Sequence, residues 1–501
     1  MRHEVAPAAA PATPSLLRSG AFSLVTSAAP VVVALLALPV LTRSLGTERL
    51  GLLTLAWAWL GYATLLDFGL GRALTRLVAA ADAGEVLEAP LDALVGTAHW
   101  LLAAVGTVVG LTGALLAPWY IGQVLHVSEG LRTDAVLSAI IFALTVPAVT
   151  GASVPRAVLE ARQQFRTVNL IRLPVSVGTF AVPVLLLPFT ASLSVIAATI
   201  ALLRVWAWWR YAALAARDMP TSAAGGADRA HVPSLLRAGA WMTVSNVLSP
   251  IMTVADRFLI GSLVSLSAVA FYAVPWEAVT KLLIVPGAVT MVLFPAASRA
   301  ASTSSNDLVP LYGASVRLVA MLVIPACALG CLLAPWLLQF AGGAAYTGDS
   351  VTVLRVLCVG VAANSLAAVP FSLLQASGRA RWTATLHAVE ALPFLALLWM
   401  AVQRWGIIGA AFAWTTRVVI DAALMAWRAQ MVAALPAASI WLLTLGVVSV
   451  AACATLSATA SGELQAPLIA ATIVALLVPC LLWSRRDDAE RTIIFGAGSH
   501  P

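Results

Sequence analysis

Apolar residues along this chain come in long unbroken runs, not in the alternating or every-third-position patterns of soluble elements. A helix that crosses a membrane needs about 20 mostly apolar residues, within a range of about 17–25. Fourteen stretches meet that requirement: 19–42, 49–70, 94–117, 135–155, 168–188, 191–211, 237–261, 267–295, 314–338, 351–375, 382–402, 406–427, 437–458 and 465–484. Short connections with Gly, Pro or charge separate them, the longest being 71–93 and 212–236. None could hold an extramembrane domain. The first run is too long for the core of a secretory signal, about 7–15 residues, and it reads as a retained helix. Residues 1–14, MRHEVAPAAAPATP, read as a disordered tail.

Composition narrows the class. Of 501 residues, 61% are apolar and 10% charged, whereas soluble domains average about 45–50% and about 25%. The 22 acids and 29 bases cannot cover the three soluble domains that this length would otherwise suggest. A soluble enzyme, a secreted disulfide scaffold and a disordered chain are excluded; the expected fold is an all-α integral membrane protein. Every base but Lys281 is Arg. A P-loop needs a Gly before its Lys, and Lys281 follows Thr280, so no nucleotide-driven motor is expected. Nucleic-acid partners, cofactors and metals are not expected either. Cys327, Cys331, Cys358, Cys453 and Cys480 all lie in apolar runs and read as small core residues.

Charge in the connections orients the chain. With a cytoplasmic N-terminus, nineteen Arg fall on the cytoplasmic side and four (Arg43, Arg49, Arg132 and Arg404) on the other. That asymmetry places both termini inside and requires an even number of spans. The sequence also repeats itself: Pro14-Ser-Leu-Leu-Arg18-Ser-Gly20-Ala-Phe22 recurs as Pro233-Ser-Leu-Leu-Arg237-Ala-Gly239-Ala-Trp241. Six spans separate the copies, so the halves have parallel topology, as in transporters whose substrate path runs between two repeats. The expected organisation is a tail (1–14), a six-helix bundle (15–214), a linker (215–233), a second six-helix bundle (234–430), helices 13 and 14 (431–484) and a cytoplasmic tail (485–501).

Several motifs, convincing in their order, resemble one family. Leu41-Thr-Arg43-Ser-Leu45-Gly46-Thr-Glu48-Arg-Leu-Gly51 and Asp67-Phe68-Gly69-Leu70-Gly-Arg72 open the chain. Ala255-Asp256-Arg257-Phe-Leu-Ile-Gly261, Leu293-Phe294-Pro295 and Trp405-Gly406-Ile-Ile-Gly409 follow. The pattern is similar to that of the bacterial polysaccharide flippases of the multidrug/oligosaccharidyl-lipid/polysaccharide (MOP) exporter superfamily. The resemblance implies a non-enzymatic transporter in the inner membrane that flips undecaprenyl-diphosphate-linked oligosaccharide for surface polysaccharide synthesis. It implies the lipid bilayer and the lipid-linked glycan as partners, with a polysaccharide polymerase and other assembly proteins as further ones. A lipid II flippase, a drug/cation antiporter of the same superfamily and a membrane glycan polymerase stand as alternatives.

Charges inside spans are the most informative residues. The cations are Arg172, Arg204, Arg257, Lys281, Arg355 and Arg417; the acids are Asp256, Glu277, Glu390 and Asp421, with Asp67 near a cytoplasmic end. At about 2.5–3.5 kcal/mol per charge at the bilayer centre, they must face one another, water or an anionic ligand. Arg204, Arg257, Lys281 and Arg417 are candidates for a cationic cavity, because a guanidinium fork matches phosphate oxygens. Ion pairing competes with that reading: Glu277/Lys281 and Arg417/Asp421 are both spaced i,i+4. Arg172 and Arg355 lie near membrane faces and could snorkel. Asn246, Ser249, Thr253 and Asp256 follow spacings of 3, 4 and 3 and form a polar stripe, either cavity lining or a helix-packing face. Asp256, Glu277, Glu390 and Asp421 are candidates for ion coupling, and His387 sits i,i+3 from Glu390. Pro275 and Pro286 bracket Glu277 and Lys281, which predicts a bend in span 8.

Overall fold

The structure, a computed structural model, describes residues 14–67, 69–82, 84–85, 89–218, 252–303, 308–433 and 438–459. All regular structure among them is helical. The first half contains α1 (Pro14–Leu45), α2 (Thr47–Ala63), α3 (Leu70–Asp82), α4 (Leu91–Trp119), α5 (Glu129–Gly151), α6 (Ser153–Ala161), α7 (Phe165–Leu186) and α8 (Leu193–Asp218). The second begins at α9 (252–263). It continues with α10 (Leu266–Thr280), α11 (Ile284–Thr303), α12 (Leu308–Gly342), α13 (Asp349–Ala376), α14 (Ala380–Ala433) and α15 (Ala438–Thr459). Among the described residues, nine helices are long and apolar enough to cross a membrane. The expected span 14, most of span 7 with Asn246 and Ser249, the second copy of the repeat and the C-terminal tail lie outside the described residues.

Breaks between helices follow from particular residues. Gly406, at φ 55° and ψ −132°, divides α14 into two limbs that correspond to expected spans 11 and 12; a side chain would strain that backbone. Span 8 is interrupted by a 3₁₀ turn at Lys281–Leu283, between Pro275 and Pro286. Pro286 has no N–H for the Leu282 carbonyl, so the ladder cannot run straight through. Span 2 ends at Ala63, earlier than the apolar run suggests, and Asp67 closes the following turn by accepting from the Gly69 amide at 3.0 Å.

The long connection expected at 71–93 contains a helix. α3 and α6 are short and amphipathic. They pack on each other over Leu70, Leu74, Val78, Val154 and Val158. Arg162 Nε to Asp82 Oδ2, at 3.2 Å, links the outer face of the pair. Helix starts elsewhere are satisfied by distant carboxylates, as exposed backbone donors require. Asp134 accepts from the amides of Leu193 at 2.6 Å and Ser194 at 2.9 Å, capping α8.

α1 to α8 pack among themselves, as do α10 to α15. The two lobes meet where α1 turns into α2. There α2 lies along α10 so closely that a Cβ on Gly51 would strike the Leu266 carbonyl. Thr47 Oγ1 donates to Ser267 Oγ at 3.0 Å, and Arg43 Nη2 donates to the Phe340 carbonyl at 2.5 Å. That carbonyl is one of the unpaired ones at the end of α12, so Arg43 caps the opposite lobe.

Candidate functional site

Two clusters of buried charge stand out, both in the second lobe. The first joins α9 to the break in span 8. Glu277 Oε1 accepts from Arg257 Nη2 at 3.1 Å, and Glu277 Oε2 accepts from Lys281 Nζ at 2.6 Å. The i,i+4 pair visible in the sequence is therefore a triad of two cations and one anion. One positive charge is left over. Lys281 also lies 5.3 Å from the ring centroid of Phe180 on α7, so the triad touches the first lobe. Arg257 lies 5.6 Å from the centroid of Trp276, and its Nε is buried without a hydrogen-bond partner among the described residues.

Asp256 points the other way. It is fully buried, accepts from the Tyr272 hydroxyl at 2.6 Å and from the Arg257 amide at 2.7 Å, and so ties α9 to α10. Tyr272 stacks on Trp276, which meets Trp414 edge-on at 4.8 Å. Through Trp414 the first cluster reaches the helix limb that carries the second.

In the second cluster, Arg417 does not form the same-helix ion pair with Asp421 that their i,i+4 spacing allows. Arg417 Nε instead lies 3.6 Å from Glu390 Oε2, on the other limb of α14, and His387 Nε2 lies 3.7 Å from Asp421 Oδ1. The limbs fold back at Gly406 and face each other, and neighbours across that seam meet where the sequence suggests a same-helix pair. Both contacts exceed hydrogen-bond length. Glu390 Oε1 and Oε2, Asp421 Oδ1, His387 Nδ1 and Arg417 Nε are all buried without a hydrogen-bond partner among the described residues. Arg417 also lies over Phe394.

The remaining candidates are scattered. Arg204 is on α8, and its Nε is buried and lacks a hydrogen-bond partner among the described residues. Thr253 is half-buried on α9. Arg355 is held by two backbone carbonyls. Its Nε donates to the Cys331 carbonyl at 3.3 Å and its Nη2 to the Ser457 carbonyl at 2.8 Å. Pro335 deprives Cys331 of its usual i+4 donor, and Ser457 is near the end of α15, so the guanidinium fills two vacancies in the backbone ladder. Cys327, Cys331 and Cys358 are buried in the core. Trp57 packs edge-on against Phe180 at 4.8 Å.

Two helical lobes, with a buried charged cluster of one touching the other, have the build of a membrane transporter. A family model described as polysaccharide biosynthesis protein matches residues 17–301. A provisionally named O-antigen transporter of Shigella flexneri is 30% identical over 418 residues, covering 82% of this chain and 97% of that protein. Among solved structures, the lipid II flippase MurJ in an inward closed conformation matches with a TM-score of 0.71 at 12% identity. The match covers 93% of this chain and 98% of that one. An inward-facing multidrug resistance MATE family transporter of the MOP superfamily matches with a TM-score of 0.65 at 16% identity, over 81% and 94%. The chain belongs to the polysaccharide biosynthesis protein family and has the MOP-superfamily fold. It is a membrane transporter of that family.

Proposed function

We propose that the protein flips undecaprenyl-diphosphate-linked oligosaccharide from the cytoplasmic to the periplasmic leaflet of the bacterial inner membrane, with both termini cytoplasmic. The observation that carries this reading is the net positive charge within the Arg257–Glu277–Lys281 triad, next to the other lobe and at the break in span 8. A diphosphate can offset that charge, and the two cations can donate to its oxygens. Glu277 keeps the empty site tolerable in the membrane, where two unpaired cations would be costly. The polyprenyl tail stays in the bilayer while the head group crosses, and rocking of the lobes about the triad changes the side to which it opens. Arg204 and Arg417 contribute further positive potential, and the stripe that the sequence sets at Asn246, Ser249 and Thr253 would add neutral hydrogen-bonding groups.

The second cluster suits ion coupling. Its Glu390 and Asp421 carboxylates have unused acceptor oxygens, and so can take up a proton or a small cation as the lobes move. Asp256 is less available, because both its oxygens are engaged. Contacts with a polysaccharide polymerase and other assembly proteins would place the product where it is used.

Deletion of the gene, followed by a membrane-impermeant glycan-cleaving enzyme, tests the assignment. Intact lipid-linked oligosaccharide protected on the inside, with loss of surface polysaccharide, supports it. Full-length units that still reach the outer face but stay unpolymerised refute it and favour a polymerase.

A further inference from the structure

A partly open cavity of about 460 Å³ lies mainly in the first lobe, and neither charged cluster lines it. Its walls come from α2 (Leu55, Trp59), α4 (Leu116), α5 (Ala139, Phe142) and, from the other lobe, Phe258 on α9. No charged side chain lines it. The hydroxyl of its one serine, Ser138, is spent on the Asp134 carbonyl at 2.6 Å. The volume is in the range of ordinary ligand pockets, about 300–1,000 Å³. Such an apolar space stays dry and takes apolar guests.

We infer that this cavity holds an acyl chain of a bilayer phospholipid. Two observations favour that occupant. Leu116 and Trp119 both line the cavity and are themselves 51% and 57% exposed on a membrane-crossing helix, so the cavity adjoins the lipid. The wall is also locally rebuilt: α4 ends in a π turn, Tyr120–Val124, which brings Tyr120 and Ile121 into the lining. Turns of that kind are rare and are common at functional sites. A transported lipid needs its head group engaged by charge, and these walls offer none. They can hold a lipid by its tail alone. With Phe258 closing one side, the acyl chain fills the space between α2, α4 and α5 and supports the contact of the two lobes. This inference does not rest on the identity of the transported substrate.

The test uses the full chain in nanodiscs of phosphatidylethanolamine and phosphatidylglycerol whose acyl chains carry a mid-chain diazirine. After irradiation, adducts are mapped by mass spectrometry. Adducts are expected on residues 116–121 and 135–143. In Ala139→Phe, which fills the cavity, they fall by about tenfold, while those at the exposed Leu185 and Phe189 stay unchanged. If Ala139→Phe is not monodisperse, Ala139→Leu replaces it, with the same direction expected. Equal labelling of filled and wild-type protein overturns the inference. So does cavity labelling by a diazirine-bearing undecaprenyl phosphate in a parallel arm where the phospholipid gives none.

Discussion

The two charged clusters of the second lobe contain similar residues and are held in different ways. In the Arg257–Glu277–Lys281 triad both carboxylate oxygens are hydrogen-bonded, at 3.1 and 2.6 Å. In the His387–Glu390–Arg417–Asp421 group the nearest approaches are 3.6 and 3.7 Å, and acceptor oxygens are left over. A satisfied buried network is rigid, and removing one member is expensive. A group with unused acceptors resists change less and can accommodate an ion. The triad therefore serves as a fixed positive anchor at the lobe interface, and the group around Glu390 as the part whose charge can vary.

That contrast can be broken by substitution. Glu277→Gln leaves Arg257 and Lys281 without a counter-charge and should cost about 3–5 kcal/mol, read as a lowered melting temperature in detergent. Tyr272→Phe removes the hydroxyl from a fully buried Asp256 and should cost about 1–3 kcal/mol in the same assay. Phe180→Leu takes away the ring under Lys281 and should cost about 0.5–1 kcal/mol, with a larger effect on flipping than on stability, because the contact crosses the lobes. Glu390→Gln should change stability by less than about 1 kcal/mol, the scale of one net hydrogen bond. Flipping should nevertheless lose its dependence on the proton or sodium gradient. If Glu390→Gln destabilises as much as Glu277→Gln does, the distinction between the clusters is wrong.

What could be read from the chain follows the range of the interaction. Glu277 and Lys281 sit four apart on one helix, so their pairing is visible in the spacing alone. Arg257 joins them from α9 through helix rotation, which apolar runs do not encode. The same limit explains Arg417: the spacing offers its i,i+4 neighbour Asp421 as one partner, and the fold-back at Gly406 sets Glu390 against it. The break in span 8 was legible because Pro286 breaks a ladder wherever it stands. α3 and α6 were not, since a short amphipathic helix scores as a polar loop in a search for long apolar runs. The partners of Arg355 are not legible in the spacing of charges because they are backbone carbonyls, one of them vacated by Pro335.

The most direct measurement is flipping by the purified protein in vesicles loaded with undecaprenyl-diphosphate-linked oligosaccharide, with an impermeant glycosidase counting the outer leaflet. Lys281→Met keeps the Arg257–Glu277 pair and removes the surplus positive charge. The account predicts a folded, monodisperse variant whose flipping falls at least about tenfold, the factor given by about 1.4 kcal/mol. Flipping at the wild-type rate by Lys281→Met would contradict it.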